Sequence, residues 1–210
     1  YSKNAIGIVT FKSLTFSRRC TMIESNREIK KPSEKREIMP RFEASALRGY
    51  CVSVLTASGV ERSCAEAVAD ALIDAELTGV STHGVSRLAV YMQRMDAGVM
   101  SRENNIRIVR ESTSTLVVDA GNSLGAAAAK FAMERCIAKA KETGCCFASV
   151  HSSNHFGTAA YYTRLAAAQD MIGFACTNLK GKIAPFGSAE PYMGTNPISC
   201  LLYTSPSPRD

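Results

Sequence analysis

The sequence predicts an α/β fold whose sheet contains some parallel pairing. Between residues 40 and 200, stretches with helical periodicity alternate with short apolar runs that are bounded by glycine and polar residues. The composition, 46% hydrophobic and 21% charged over 210 residues, is that of a globular protein with a sizeable core. Strands separated by helices in this order are typical of α/β sheets.

Apolar spacing and the glycines that follow it locate each element. Gly59, Gly79, Gly98 and Gly144 each follow a helical pattern, as expected at helix ends. The predicted helices are Ala44–Ala57, Glu61–Thr78, Val85–Ala97, a long helix capped by Ser123 and ending at Thr143, and Thr158–Gln169. The predicted strands are Ile106–Arg110, Thr115–Val118, Phe147–Val150 and Met171–Cys176.

The two ends of the chain differ from its middle. Residues 1–38 hold nine basic and four acidic residues without clear periodicity, which favours a disordered or non-native extension. Residues 1–21 lack acids, as organelle transit peptides do, but translated upstream sequence explains them equally well, and the cytoplasm is the default location. We expect residues 201–210, which are rich in Pro and Ser, to be a foreign tail. This leaves a helical region at 39–100 and an α/β region at 101–200.

Composition excludes several classes of protein. Residues 39–210 hold sixteen basic and fifteen acidic residues with no basic stripe, which argues against nucleic-acid binding. No apolar run reaches the ~20 residues of a membrane-spanning helix. The eight cysteines form no Cys-x-x-Cys pair and lack metal-ligand spacing from a histidine. We therefore expect a reducing compartment, buried cysteines and no metal site.

His83 lies in a turn between two predicted helices, beside Gly84 and four residues before Arg87. If a helix begins near Gly84, the imidazole and the guanidinium point to the same side. A 2-oxo acid needs such a pair, an acid for its carbonyl oxygen and a forked cation for its carboxylate. The alternative is that Ser81 or Thr82 only caps the helix and His83 is a solvated turn residue.

His155 follows an apolar strand and precedes a helix, in the segment His151-Ser-Ser-Asn-His-Phe-Gly157. Loops of this kind bind ligands in α/β proteins, and the following helix N-terminus favours an anion such as a cofactor phosphate. The alternative is an Asx-type turn with His151 and His155 on the surface.

Other motifs carry less information. Thr177-Asn178, Pro185-Phe-Gly187 and Gly194-Thr-Asn-Pro197 are turn sequences. No Gly-x-Gly-x-x-Gly fingerprint and no Gly-x-Ser-x-Gly elbow occurs, so that neither a Rossmann fold nor a serine hydrolase is supported.

Taken together, several short segments resemble the malate/L-lactate dehydrogenase family. They are Gly79–Leu88, Ser153–Gly157 with Tyr161-Tyr162, Met171–Gly173, Thr177-Asn178, Ala184–Gly187 and Gly194–Pro197. The resemblance implies a non-Rossmann, sulfolactate-dehydrogenase-like fold, a homodimer, a small 2-oxo or 2-hydroxy acid as substrate, and NAD or NADP as cofactor. It also implies that a C-terminal part of the family's fold is missing here and that the fragment itself is inactive.

The resemblance assigns roles to individual residues. His83 matches the family's proposed proton donor, Thr82 the hydroxyl residue beside it, and Arg87 the residue that binds the substrate carboxylate, although His155 is an alternative acid/base. The implied cofactor contacts are His155, Phe156, Gly157, Thr158, Ala159, Thr177, Asn178, Pro185, Gly187, Gly194, Thr195 and Asn196.

One departure from the family pattern keeps a second interpretation open. Ser81-Thr82-His83 stands where Asp-Ser-His is commoner, so that a charge beside the histidine is lost. Together with the implied truncation, this supports a non-catalytic nucleotide-binding homologue as the alternative to an oxidoreductase.

Overall fold

A computed structural model describes residues 4–12 and 41–201 of the chain. Its helices are α1 (Ala44–Ala57), α2 (Arg62–Leu77), α3 (Arg87–Asp96), α4 (Gly125–Thr143) and α5 (Ala159–Ala167), with a 3₁₀ turn at Ser81–His83. Its strands are β1 (Asn4–Lys12), β2 (Arg107–Glu111), β3 (Thr115–Asp119), β4 (Cys145–Ser153), β5 (Met171–Thr177) and β6 (Ile198–Leu201).

The strands form one six-stranded mixed sheet in the order β2-β3-β4-β1-β5-β6. β3 and β4 are parallel, and α4 connects them, as a crossover between parallel strands requires. The other neighbours are antiparallel. The predicted α/β class with some parallel pairing is therefore confirmed.

Each helix and strand predicted between residues 44 and 177 is present, with ends shifted by up to three residues. Gly144 ends α4 in the left-handed conformation, at φ 86°, where glycine has no Cβ penalty. The predicted cap of α4 is wrong. Leu124 is the N-cap residue, and the Ser123 hydroxyl instead donates to Glu103 O (2.9 Å) and accepts from Asn105 N (3.0 Å).

Residues 4–12 differ most from the sequence-based prediction. They were expected to belong to a disordered or non-native extension, yet they form β1 at the centre of the sheet, between β4 and β5. Ile6, Ile8 and Thr10 are buried on one face of this strand. A short apolar run can therefore pair with two strands even where the adjoining sequence is rich in charge. Most of the predicted extension (13–38) and nearly all of the predicted tail (202–210) lie outside the described residues.

Small residues allow α4 to pack closely on the sheet. Ala128, Ala129, Ala132 and Met133 of this helix are fully buried in the core that the sheet shares with α1, α2, α3 and α5. The opposite side of the helix carries charged side chains, such as Glu134. In the described part of the chain, no helix has both the length and the apolar character that crossing a membrane requires.

Burial departs from prediction at the ends and edges of elements. Leu77 continues the apolar spacing of α2, but it is the last residue of the helix and is 72% exposed. Phe147 begins an apolar run that is predicted as a strand, yet it points outward from β4 because only alternate residues of that strand face the core.

The cysteines largely fit the expected role of small apolar residues. Seven free cysteines lie in the described part of the chain. Cys51, Cys64, Cys136 and Cys146 are buried, and burial raises the pKa of each thiol. Cys200 is exposed on β6 and contradicts the expectation. Cys20 lies outside the described residues.

Ile8→Ala tests whether β1 occupies the centre of the sheet. Ile8 is 0% exposed, so the truncation should lower the free energy of unfolding by about 2–5 kcal/mol, through lost burial and an added cavity. Urea unfolding of both proteins measures the difference. Phe42→Ala, at a side chain that is 70% exposed, is the control and should change stability by less than about 0.5 kcal/mol. An equally small effect of Ile8→Ala would show that β1 does not pack in the sheet.

Candidate functional site

A close contact between α2 and the following turn positions His83. The Glu76 carboxylate, at the end of α2, accepts a hydrogen bond from Val85 N (2.7 Å). Gly84 makes room for this contact, because a Cβ there would lie 2.0 Å from Glu76 Oε1. The chain then enters α3 with Arg87 as its first residue.

Within this turn, His83, Thr82 and Arg87 are neighbours as predicted. His83 Nδ1 lies 3.0 Å from Thr82 Oγ1, and Arg87 Nε donates to Thr82 O at 2.5 Å. Partial burial lowers the pKa of His83, and the nearby positive charge of Arg87 lowers it further. His83 is therefore a stronger acid when protonated than a free histidine.

The helix-capping alternative for this turn is wrong. The N-cap residue of α3 is Ser86, and it makes no side-chain capping hydrogen bond. Ser81 contributes its carbonyl oxygen, which accepts from Ser86 Oγ at 3.0 Å. The Thr82 hydroxyl faces the imidazole of His83 and not a helix amide.

The loop that carries His155 is anchored by Asn154. This side chain is 5% exposed, and its Nδ2 donates to Asn122 O (2.9 Å) and Ser123 O (3.0 Å) just before α4. Gly125, the first residue of α4, has no space for a side chain, because a Cβ would lie 2.2 Å from Asn154 O. The loop after β4 is thus held tightly against the start of α4.

His155 and His83 meet in space although 72 residues separate them in sequence. Their ring centroids are 5.4 Å apart and the rings are stacked at 29°. Burial, together with the positive charges of His83, Arg87 and Arg94, lowers the pKa of His155 to about 4. The surface-turn alternative therefore fails for His155. His151 is exposed, as that alternative expects, but it lies within β4 and not in a turn, 3.7 Å from Asp119.

Two residues that sequence reasoning missed, Tyr91 and Arg94, complete this cluster from α3. The Tyr91 hydroxyl is 2.8 Å from His155 Nδ1, and Arg94 Nη2 is 3.4 Å from Asn154 Oδ1. Arg94 Nε is buried without a hydrogen-bond partner. Arg87, Tyr91 and Arg94 follow each other at i, i+4 and i+7, so that their shared helix face could have been predicted from spacing.

The cluster is positively charged and suits an anion. It combines two guanidinium groups with two imidazoles in a partly buried space, where a carboxylate could accept a forked pair of hydrogen bonds. In contrast, the residues that the structure describes include no group of three or more His, Cys, Asp or Glu side chains arranged to hold a metal ion.

The segment after His155 forms the start of α5. Phe156 is buried and stacks on Tyr162 with ring centroids 5.1 Å apart, while the Tyr162 hydroxyl donates to Phe156 O. Gly157 has a φ of 83°, and Thr158 is the N-cap residue. Thr158 Oγ1 is buried without a partner, and Ala159 begins the helix. The predicted cofactor loop thus has a buried hydroxyl without a hydrogen-bond partner at the N-terminus of α5.

The remaining predicted cofactor residues lie in the connection from β5 to β6. Thr177 ends β5, where its N–H donates to Pro197 O (3.3 Å), and Asn178 follows it. Further along, Asn196 Oδ1 accepts from Leu179 N at 2.8 Å. Gly194, next to Thr195, packs closely on the Leu179 backbone. These contacts fold the connection back on the end of β5.

The Pro185–Gly187 turn is the outermost part of this connection. Phe186 at its tip is exposed, and Ser188 N donates back to Pro185 O at 3.0 Å. Gly187 adopts a φ of 82°. The turn is closed by its own hydrogen bonds, and the structure does not bring it into contact with the two histidines.

Comparison with known proteins identifies the family. A family model described as malate/L-lactate dehydrogenase matches residues 42–206, which include both histidine loops. The chain belongs to the malate/L-lactate dehydrogenase family. The resemblance predicted from short motifs is therefore confirmed, together with the fold that it implied.

Two archaeal members of the family show how much of the sequence is shared. The chain is 41% identical to L-sulfolactate dehydrogenase of Methanocaldococcus jannaschii over 148 residues. This alignment covers 70% of this chain and 43% of that protein. It is 38% identical over 155 residues to malate/(S)-sulfolactate dehydrogenase of Methanothermus fervidus, covering 74% and 46%. The chain thus spans less than half the length of these relatives.

Solved structures agree with this assignment. The malate dehydrogenase of Pyrococcus horikoshii OT3 superposes with a TM-score of 0.78 at 36% identity, over 85% of this chain and 51% of that one. Sulfolactate dehydrogenase of Methanocaldococcus jannaschii gives a TM-score of 0.73 at 38% identity, over 76% and 46%. Family membership thus accounts for the fold, while the roles of individual site residues stay predictions.

Gly84→Ala tests the contact that positions His83. The added Cβ would displace the Glu76 carboxylate from Val85 N, and an unpaired amide costs about 1–3 kcal/mol of folding stability. Chemical denaturation measures this loss, and the NMR signal of His83 should shift. Gly49→Ala is the matched control, because a Cβ there meets nothing within 4 Å and should be neutral or stabilising in α1. Wild-type stability in Gly84→Ala would mean that Glu76 does not hold the turn.

Proposed function

We propose that the protein containing this chain transfers a hydride between NAD(P)H and a 2-oxo acid, or back from the 2-hydroxy acid, with malate or lactate as representative substrates. The observation that carries this proposal is the meeting of His83, Arg87 and His155 in one cationic cluster. The names of the relatives support it, since they are malate, sulfolactate and ureidoglycolate dehydrogenases.

In the proposed reduction, Arg87 binds the carboxylate of the 2-oxo acid through its guanidinium fork. When bound, the nicotinamide cofactor supplies the hydride, which adds to the carbonyl carbon while the C=O π bond opens toward oxygen. His83 gives its proton to that oxygen and becomes neutral, so that the product is the 2-hydroxy acid. In the oxidation, neutral His83 takes the hydroxyl proton back.

Thr82 and Arg87 adjust His83 for this role. The Thr82 hydroxyl lies against Nδ1 and can orient the ring, which leaves Nε2 for the substrate. Arg87 lowers the pKa of His83, because two positive charges repel each other. The same guanidinium thus binds the substrate and strengthens the acid.

The residues at the start of α5 fit a cofactor. His155, Phe156, Gly157, Thr158 and Ala159 offer an unpartnered hydroxyl and helix N-terminal amides, which suit an anionic or amide group. Further proposed contacts in the β5–β6 connection are Thr177, Asn178, Pro185, Gly187, Gly194, Thr195 and Asn196. Relatives carry both NAD(+) and NADP(+) in their names, and we propose either cofactor here. A homodimer and a cytoplasmic location also belong to the proposal.

A spectrophotometric assay tests the activity. Because the chain spans less than half the length of its relatives, the assay uses the complete protein encoded by the transcript. Absorbance of NADH and NADPH is followed with a panel of 2-oxo acids and cyclic imino acids. Oxidation of the cofactor by one acid supports the proposal. Cofactor binding without turnover would favour a non-catalytic homologue, and a folded protein that binds neither cofactor would contradict both.

His83→Ala tests the proton donor. Loss of a positioned general acid should reduce kcat by roughly 10²- to 10⁴-fold while the protein still binds cofactor. Steady-state kinetics and cofactor titration separate the two effects. His151→Ala is the matched control, since that histidine is exposed on β4 and outside the cluster, and it should keep wild-type kcat. Full activity in His83→Ala would remove His83 from the mechanism and leave His155 as the candidate acid.

The pH dependence of kcat/KM reports on the same group. Reduction requires protonated His83, so its kcat/KM should fall as pH rises through a pKa that lies below the ordinary value of about 6.5. Oxidation requires neutral His83 and should rise over the same range. Arg87→Met removes a neighbouring positive charge and should move the inflection to higher pH, whereas Arg62→Met, at an exposed side chain, should not. An inflection unmoved by Arg87→Met would show that this histidine does not control the rate.

A further inference from the structure

We propose that Tyr91 is a positioning residue that, together with the Gly157 amide, holds His155 in the tautomer that carries its proton on Nε2. Nδ1 is then always an acceptor, and Nε2 always a donor. The inference rests on the proposed function for its catalytic consequence, but the tautomer itself is a property of the free protein.

Two groups converge on His155 Nδ1. The Tyr91 hydroxyl lies 2.8 Å away, and Gly157 N lies 3.4 Å away with its N–H directed at the same nitrogen. A backbone amide can only donate a hydrogen bond, so Nδ1 must offer its lone pair. A proton on Nδ1 would face the amide hydrogen directly. Tyr91 therefore also donates, and the single proton of a neutral ring is on Nε2.

The surroundings keep both side chains in the required protonation state. Tyr91 is 3% exposed, and burial raises its pKa to about 12, so that its hydroxyl remains a donor at neutral pH. The pKa of His155 is about 4, because of burial and the positive charges of His83, Arg87 and Arg94. A neutral His155 with one defined proton follows from these conditions.

The fixed tautomer gives the two stacked histidines different chemical roles. His155 cannot release a proton easily, because its neutral ring is a very weak acid and its protonated form is disfavoured. It supplies a permanent N–H donor to an oxygen acceptor bound beside His83. His83, whose Nδ1 faces only a rotatable hydroxyl, is left as the ring that changes protonation. Tyr91 acts on the reaction through His155 without touching the substrate.

NMR of the complete protein, labelled with ¹⁵N-histidine, tests the tautomer without any need for activity. Long-range ¹H–¹⁵N correlations distinguish a protonated from an unprotonated ring nitrogen, and assignment uses His155→Gln. We expect an unprotonated Nδ1 and a protonated Nε2 at neutral pH in the wild type. A proton on Nδ1 in the wild type would overturn the proposal whether or not any variant folds.

Tyr91→Phe removes the hydroxyl and keeps the ring. Only the longer hydrogen bond from Gly157 N (3.4 Å) then holds Nδ1 as an acceptor, so His155 should populate the other tautomer more, and its titration should move to higher pH, because the shorter bond that stabilised the neutral ring is lost. Tyr161→Phe is the matched control, another buried tyrosine, which packs edge-on against Tyr162. It should leave the His155 signals unchanged. An unaltered tautomer in a folded Tyr91→Phe protein would contradict the role of Tyr91.

Kinetics of the complete protein then connect the tautomer to catalysis. Tyr91→Phe should lower kcat by about 3- to 10-fold, the effect of one hydrogen bond. If NMR shows the tautomer change but the wild type has no dehydrogenase activity, the proposed function fails and the assignment of Tyr91 stands. If the tautomer changes and kcat does not, the catalytic consequence is wrong.

Discussion

The stacking of His83 on His155 is the contact on which the site depends. It joins a turn of the helical region to a loop of the sheet region, and it places two imidazoles beside two guanidinium groups. Such a cluster is unfavourable for protonated histidines, as the lowered pKa values show. The fold must therefore hold it in place through other interactions, and a bound carboxylate would relieve the repulsion between the cations.

Those other interactions come largely from α2. Its Asp70 pairs with Arg48 of α1 (2.6 Å) and Lys130 of α4 (2.9 Å). One turn later, Asp74 pairs with Arg164 of α5, and Glu76 then holds the turn before α3. Acidic side chains of a single helix thus hold α1, α4, α5 and the turn that carries His83. This explains why the loops can keep a defined geometry while carrying like charges.

How much of the fold and of the site could be predicted depends on whether the interaction is local in sequence or joins distant residues. Helix and strand positions follow from local periodicity and glycine stops, and His83 and Arg87 are four residues apart, so both were found. Spacing predicts the helix face of Tyr91, but the contacts of Tyr91 with His155 and of Asn154 with Arg94 join residues 60 or more apart in sequence, and no local pattern reports such contacts. β1 was missed because its apolar run is short and adjoins charge-rich sequence, while its partners lie far along the chain.

The position of β1 also constrains how the chain is made. Asn4 pairs with Ser153 and Phe11 with Cys145, so that β1 is synthesised well before β4 and β5 and must wait for them before it can be inserted. Contacts between residues so far apart in sequence are slow to form, because a long loop must close before strand pairing compensates for the lost chain entropy. Until then the edges of β4 and β5 stay unpaired and open to other chains. We expect the sheet to depend on chaperones during synthesis more than the helices of the same chain do.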